Sequence, residues 1–99
     1  MGRDQKAVEP MIYILEFSIK AEKQFNKLDR YAQEQIAAYI KKHFSDNPQD
    51  PRSHGKPLTG KLQGYWRYEV GKYRLICDIQ DNICKVLVVK AGHRREVYR

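Results

Sequence analysis

Two short regions in the second half of the chain carry side chains that could bind a phosphate. The first region holds Arg67, Glu69 and Arg74, and the second is the terminal segment 93–99. Arginine guanidinium groups bind phosphate oxygens in bidentate fashion, and Tyr98 can stack on an unpaired base, which is worth about 1–3 kcal/mol per base. The two regions together predict a nucleic-acid-binding surface. The alternative is an exposed ion pair between Glu69 and Arg74, worth well under ~1 kcal/mol, beside a solvated arginine-rich tail.

The net positive charge is concentrated in the same half of the chain. The net charge is +7, and residues 1–50 contribute none of it, because they hold eight basic and eight acidic side chains. Residues 51–99 hold eleven basic and four acidic side chains. Such asymmetry favours a polyanionic partner, a nucleic acid or an acidic protein segment, over a merely solvated basic surface. Further candidates for RNA contact are Lys56, Lys61, Lys72 and Arg95.

The elements that must position these side chains begin with a β-rich run over residues 12–17, followed by two helices. Ser18 is a suitable N-cap for a helix that starts at Ile19, and Asp29 is a suitable N-cap for a second helix. The apolar stripe predicted for the second helix consists of Ala32, Ile36, Tyr39, Ile40 and Phe44. The Asn-Pro pair at 47–48 is expected to end it. Two helices with so short a joint form a helical hairpin.

Three strand signals follow a loop over residues 46–61 that is rich in proline and glycine. The strand signals cover residues 65–70, 73–80 and 84–90. Gly71-Lys72 fits a two-residue hairpin turn, and Asp81-Asn82 fits the next turn. The order β-α-α-β-β-β predicts an α+β fold, in which the helical hairpin packs on one face of a mainly antiparallel sheet.

The register of the first hairpin follows from its two-residue turn. Glu69 then faces Arg74, and Arg67 lies two residues from Glu69 on the same face of the sheet. We expect this face to be open to solvent. The helices are expected to cover the opposite face, which collects Trp66, Tyr68, Val70, Tyr73, Leu75 and Cys77.

The register of the second hairpin is expected to pair Asp78 with Lys85, if its turn also has two residues. Arg74 then lies opposite Val89, and the chain leaves the sheet at Gly92, next to the first turn. The terminal residues that this path brings to the open face are His93, Arg94 and Tyr98.

The domain organisation and cellular location follow from the length and the hydropathy. No apolar run approaches the ~20 residues of a membrane span. Residues 1–10 lack the apolar core of a signal peptide, so we expect a cytoplasmic protein with no membrane partner. Met11 is a candidate natural start. Residues 1–10 are then an N-terminal extension, added by cloning or by an upstream start codon, and residues 11–99 form a single domain.

The cysteines and histidines predict neither a disulfide nor a metal site. Cys77 and Cys84 are expected to be small buried side chains, because a cytoplasmic location argues against a disulfide. Their spacing is no zinc signature. His54 and His93 lack an accompanying cluster of cysteines or carboxylates, so we expect neither a metal nor another cofactor.

Two motifs resemble the signature of the RelE/ParE toxin superfamily. The first is the segment 64–76, GYWRYEVGKYRLI, and the second is the segment 92–98, GHRREVY. The loop segment 56–62, KPLTGKL, resembles the one that leads into the first motif in this family. The likeness covers residues 11–99, and the predicted order of elements agrees with the family fold.

The resemblance implies a function and a mechanism. RelE-like members are ribosome-dependent endoribonucleases, which implies a type II toxin that cleaves mRNA in the 70S A site, inhibits translation and is neutralised by a cognate antitoxin. In the implied mechanism the RNA 2′-hydroxyl attacks the adjacent phosphorus, and the protein stabilises the transition state electrostatically. The residues implied to supply positive charge are Arg67, Arg74 and Arg94. Tyr98 would stack on or orient a base, and Glu69, His93 and Tyr98 are alternative general bases.

One departure from the family leaves alternatives open. Some RelE-type enzymes carry several lysines on the strand where this chain has Trp66, Arg67, Tyr68 and Glu69. This difference leaves the catalytic efficiency and the identity of the general base open. A ParE-like gyrase inhibitor without its own catalysis is the alternative function, and a non-catalytic RNA-binding member is a third. The presence of Arg94 and Tyr98 favours the ribonuclease, because ParE-like members generally lack that pair.

Overall fold

The computed structural model describes residues 12–46 and 49–98. The strands are β1 (Ile14–Phe17), β2 (Lys56–Pro57), β3 (Trp66–Val70), β4 (Tyr73–Gln80) and β5 (Lys85–His93). The helices are α1 (Ile19–Asn26) and α2 (Arg30–Ile40), and α2 continues into a π-helical turn, Lys41–Asp46. Short 3-10 turns lie at Pro51–His54, Gly60–Leu62 and Asp81–Ile83. The extension expected over residues 1–10 lies outside the described residues, as do Met11 and the Asn-Pro pair at 47–48.

The strands form one sheet in the order β1-β5-β4-β3-β2. β1 runs parallel to β5, and the other neighbouring strands are antiparallel. The predicted α+β fold is confirmed, with the short strand β2 added within the expected loop. Residues 56 and 57 pair with β3, and two residues are too few to show strand periodicity in the sequence. None of the helices in the described ranges is long and apolar enough to cross a membrane.

Both helices begin where their capping residues predict. The Ser18 hydroxyl accepts a hydrogen bond from the Ala21 amide at 3.1 Å, and the Asp29 carboxylate accepts one from the Ala32 amide at 2.8 Å. Each bond satisfies an amide that has no partner inside the helix. The apolar stripe of α2 is also confirmed, because Ala32 and Ile36 are fully buried there.

The core lies between the helices and one face of the sheet. Its buried side chains include Ala21, Ile36, Phe44, Tyr68, Val70, Leu75, Cys77, Val86 and Val88. Trp66 and Tyr73 are partly buried against this core. The covered face of the hairpin is therefore the one that strand alternation predicts.

The register of the first hairpin is confirmed, and that of the second is wrong. Glu69 faces Arg74 across a turn in which Gly71 has φ +58°, a conformation that glycine adopts at no steric cost. In the second hairpin a 3-10 turn replaces the two-residue turn, so Lys85 faces Gln80 instead of Asp78. An irregularity between residues 76 and 77 then shifts the pairing again, which places Gly92 opposite Arg74.

The two cysteines differ in environment. Cys77 is fully buried, as expected, and burial raises the pKa of its thiol. Cys84 is only partly buried, contrary to the expectation, and it follows the 3-10 turn in a left-handed conformation with φ 50°. Both thiols are free.

Candidate functional site

A cluster of charged side chains lies on the open face around β3, and we call Lys56, Arg67, Glu69 and Tyr98 the β3 cluster. Lys56 reaches it from β2, where its backbone pairs with Arg67. One carboxylate oxygen of Glu69, Oε2, lies 3.1 Å from Arg67 Nε and 3.6 Å from Lys56 Nζ. Arg67 Nε is buried and poorly aligned for a hydrogen bond, so its contact with Glu69 is an ion pair without hydrogen-bond geometry.

Tyr98 joins this cluster from the other end of the sequence. Its hydroxyl accepts a hydrogen bond from Arg67 Nη1 at 3.5 Å, and 44% of the residue is exposed. The hydrogen bond to Tyr98 and the charge of Glu69 raise the pKa of Arg67. The tyrosine ring is thus tethered to a cation and still presents surface to solvent.

A compact turn after β5 carries Tyr98 to this position. The Arg94 amide donates to the Lys72 carbonyl at 2.8 Å, which fixes the start of the turn to the first hairpin. The amides of Glu96 and Val97 both donate to the His93 carbonyl, at 2.8 and 3.0 Å. Val97 is 5% exposed although it lies outside the main core cluster, so the turn is packed against the protein.

Arg74 shares the open face but not the β3 cluster. Its Nη1 donates to the carbonyls of Gly71 and Tyr73, both at 2.8 Å, so the guanidinium folds back on the hairpin turn. Among the described residues Arg74 makes no ion pair with Glu69, whose carboxylate pairs with Lys56 and Arg67 instead. Arg74 therefore lies opposite Glu69 near this turn, as predicted, but its guanidinium contacts the turn carbonyls instead of joining the ion pair of Glu69.

His93 lies away from the β3 cluster, contrary to the expected path of the terminal segment. β5 continues through His93, which pairs with Tyr73. Directly opposed residues share a face of the sheet, and the two rings meet edge to face at 5.9 Å. His93 Nδ1 also accepts a hydrogen bond from the Arg95 amide at 3.1 Å. The histidine therefore stabilises the terminal turn through the Arg95 amide and lies on the same face of the sheet as Tyr73.

The remaining predicted cations lie on the surface. Lys72 is exposed in the first turn, and Arg94 and Arg95 are exposed in the terminal turn beside it. Lys61 is exposed in the 3-10 turn Gly60–Leu62. These side chains extend the positive surface beyond the β3 cluster.

An anchor that the sequence does not predict holds the loop that leads to Lys56. Arg52 donates two hydrogen bonds to the Asp81 carboxylate, at 3.0 and 2.7 Å, and its guanidinium carbon lies 5.7 Å from the centroid of the Trp66 ring. Tyr13 also donates to Asp81. The bonds from Arg52 and Tyr13 lower the pKa of Asp81 to about 2. No local pattern links residues 52 and 81, so only the tertiary structure shows this contact.

His54 anchors the same loop among aromatic side chains. Its Nδ1 lies 3.1 Å from the Tyr39 hydroxyl, and its ring lies 4.9 Å from that of His43 and 5.1 Å from that of Tyr68. Burial, followed by the charge of His43, lowers the pKa of His54. His54 is thus a packing residue, and no group of three or more metal-binding side chains occurs in the parts of the chain that the structure describes.

Comparison with known proteins assigns the chain to a family. The family model described as ParE toxin of the type II toxin–antitoxin system parDE matches residues 15–98. The chain belongs to the RelE/ParE toxin superfamily. It is therefore a toxin of the type II toxin–antitoxin class, as the motifs at 64–76 and 92–98 predict.

Individual members of the superfamily agree with this assignment. Toxin RelG of Mycobacterium tuberculosis is 32% identical over 89 residues, which cover 90% of this chain and 99% of RelG. The structure of the toxin–antitoxin complex RelBE2 from the same species matches with a TM-score of 0.70 and 28% identity, over 89% of this chain and 98% of that chain. The isolated RelE toxin of E. coli matches with a TM-score of 0.63 and 26% identity, over 87% and 90%.

Proposed function

We propose that this RelE/ParE-superfamily toxin is a ribosome-dependent endoribonuclease that cleaves mRNA in the ribosomal A site and so inhibits translation in the cytoplasm. The observation that carries the proposal is the β3 cluster, in which cations from two strands meet an exposed tyrosine from the terminal turn. Its similarity to RelG and to the RelE structures supports an RNA-directed member of the superfamily.

In the proposed reaction the 2′-hydroxyl of the RNA loses its proton and attacks the adjacent phosphorus. The bond from phosphorus to the 5′-oxygen of the next nucleotide breaks, which leaves a 2′,3′-cyclic phosphate and a 5′-oxygen that takes up a proton. Arg67 and the exposed Arg94 neutralise the charge that develops on the phosphate oxygens, which is an electrostatic form of catalysis. Arg74 is oriented by its bonds to the hairpin carbonyls. Both bonds use one nitrogen of a guanidinium that has five N–H donors, so its other donors remain for a phosphate. Tyr98 stacks on a base. Lys56, Lys61, Lys72 and Arg95 bind the flanking phosphates.

The proton-transfer groups of the site are few, and this scarcity supports dependence on the ribosome. Glu69 is paired with two cations, His93 packs against Tyr73, and Tyr98 accepts a bond from Arg67. A self-sufficient ribonuclease needs a matched acid and base. RNA that is already bent for in-line attack lowers this requirement, because orientation alone can contribute several kcal/mol (~7 or more in favourable cases).

The test is single-turnover cleavage of one mRNA, compared free in solution and programmed into ribosomes with an empty A site. We expect efficient cleavage only on the ribosome and weak, salt-sensitive binding of the free RNA. Equal rates in the two states would refute ribosome dependence and favour a self-contained nuclease.

Inhibition of DNA gyrase is the second candidate function, because the matching family model describes ParE toxins. In this case the protein would act by binding and would need no catalytic residues. A supercoiling assay with purified gyrase separates the two functions. Inhibition of supercoiling without any new mRNA 5′ end on translating ribosomes would favour the ParE-like activity.

A cognate antitoxin is the proposed partner. The similarity to the toxin in the RelBE2 toxin–antitoxin complex supports it, and the basic surface favours an acidic, partly disordered protein. The surface offers an exposed sheet edge for strand addition and an apolar groove for binding of a helix. β1 forms one edge of the sheet with Ile14 62% exposed, and a groove of about 520 Å³ beside it is lined by Leu15, Phe17, Phe25 and Ile40. Co-expression with the neighbouring open reading frame tests this partner, since a true antitoxin co-purifies and relieves growth arrest.

A further inference from the structure

The Glu69 carboxylate occupies a position that suits a phosphate oxygen. Its Oε2 lies 3.1 Å from Arg67 Nε and 3.6 Å from Lys56 Nζ, and guanidinium and ammonium groups both bind phosphate in proteins. The pair comes from two strands, since Lys56 and Arg67 are directly opposed across β2 and β3. Glu69 therefore supplies, from within the chain, the anion that this pair of cations would otherwise take from solution.

The charges around Glu69 show what the carboxylate does in the free protein. Like charges that face each other across strands repel, and Lys56 and Arg67 would do so without an anion between them. Glu69 neutralises one of the two positive charges and holds both side chains at one place. Arg67 Nε itself is buried, but the rest of the site reaches solvent, because the side chains of Lys56, Glu69 and Arg67 are 64%, 38% and 28% exposed.

We propose that Glu69 is an internal counter-ion that positions Lys56 and Arg67 and competes with an RNA phosphate for them. This inference rests on the proposed RNA-directed function. A phosphate that enters the site replaces the carboxylate as the partner of Lys56 and Arg67, and the displaced negative charge remains nearby. Glu69 thus lowers the affinity for RNA in exchange for a preformed pair of cations, and it is a positioning residue instead of the general base.

The experiment compares Glu69→Gln with a matched control, Glu34→Gln. Both changes remove one negative charge from a glutamate that forms an ion pair, but Glu34 pairs with Arg30 on α2, away from the β3 cluster. The probe is a fluorescent single-stranded RNA 12-mer whose dissociation constant is measured at several salt concentrations. For Glu69→Gln we expect binding tighter by about fivefold at low salt, the size of one charge contact at ~4 Å in water.

The salt dependence identifies the reason for this gain. A newly available phosphate contact steepens the slope of log K against log salt by about 0.7 for a single strand. For Glu34→Gln we expect an unchanged slope and an affinity within about twofold of the original chain, since only the distant net charge changes. If the two variants respond alike, or if Glu69→Gln binds RNA more weakly, the inference is wrong.

A second variant keeps the test decisive if Glu69→Gln destabilises the fold. Lys56→Ala removes one of the paired cations on the short strand β2 and leaves Arg67 with Glu69. We expect weaker binding of the same RNA and a slope shallower by about 0.7. An unchanged slope in Lys56→Ala would mean that no phosphate binds at this pair and would overturn the inference.

Cleavage assays separate this inference from the proposed function. A hundredfold loss of cleavage on ribosomes in Glu69→Gln, with RNA affinity and salt slope unchanged, would identify Glu69 as the general base and overturn the counter-ion role. If the original chain cleaves no mRNA on ribosomes while Glu69→Gln still binds RNA more tightly, the proposed function fails and the counter-ion role stands.

Discussion

The substitution Arg74→Ala is expected to lower both the activity and the stability of the protein. If Arg74 is a transition-state contact of the proposed reaction, its loss should cost ~3 kcal/mol and slow cleavage on the ribosome about a hundredfold. Its position on the open face alone suggests that folding does not need it. The structure changes that expectation, because Arg74 Nη1 donates to the carbonyls of Gly71 and Tyr73 at 2.8 Å.

The loss of stability follows from those two bonds. A hydrogen bond inside a protein contributes about 0.5–1.5 kcal/mol net, so the two partly exposed bonds are worth about 1–2 kcal/mol. For a domain of this size each kcal/mol shifts the melting temperature by about 4–8 °C. We therefore expect Arg74→Ala to melt about 4–16 °C below the original chain, with no change in secondary structure.

The assays are thermal unfolding by circular dichroism and single-turnover cleavage of mRNA on ribosomes. Arg30→Ala is the matched control, because Arg30 is an exposed arginine whose ion-pair partner within residues 12–46 and 49–98 is Glu34 on its own helix. It should melt within about 2 °C of the original chain and cleave at full rate. If Arg74→Ala melts with the control, the hairpin bonds contribute no stability. If it cleaves at full rate, Arg74 is not a catalytic residue.

Three further predictions concern the anchors of the fold. Burial and the charge of His43 lower the pKa of His54 below its unfolded value of ~6.5. As the pH drops below ~6.5, the unfolded chain therefore takes up this proton before the folded chain does, and the free energy of unfolding falls. Urea unfolding at pH 5 and 7.5 should show a smaller fall in His54→Phe, and equal falls would contradict the prediction. Arg52→Gln should raise the pKa of Asp81 from about 2 toward ~3.9 in an NMR titration, whereas an unchanged pKa would show that Arg52 does not lower it. Asp29→Ala should lower the free energy of unfolding by about 1 kcal/mol through loss of the α2 cap, and Asp29→Ser should restore most of it; equal losses in the two variants would exclude capping as the cause.

The parts of the fold that the sequence predicts are those that depend on neighbouring residues. Ser18 and Asp29 cap their helices through bonds that span three residues, and the Gly71 turn fixes the first hairpin without help from the rest of the chain. The second hairpin differs because Cys84 adopts a left-handed conformation after a 3-10 turn, which no turn residue in the sequence signals. Strand alternation alone does not fix the register of this hairpin, and the predicted register is wrong for that reason.

The candidate site likewise contains residues whose positions the sequence predicts and residues whose positions it does not. Alternation along one strand is enough to place Arg67 and Glu69 on one face, but their partner Lys56 lies on a two-residue strand that has no recognisable pattern. The predicted position of His93 is wrong because it depends on the register of the second hairpin. The shifted pairing of β4 with β5 keeps His93 inside the sheet opposite Tyr73, so its ring does not reach the β3 cluster.

The arrangement of the candidate bases bears on how the site could work. Each of them has a structural partner: Glu69 binds two cations, His93 packs on Tyr73 and accepts from the Arg95 amide, and Tyr98 accepts from Arg67. Groups held in this way are suited to fixing positions, whereas proton transfer requires a base in reach of the 2′-hydroxyl. The arginines can hold a phosphate and stabilise its negative charge without moving a proton. Under the proposed function, these residues would contribute charge and position, and the ribosome would bend the RNA for in-line attack.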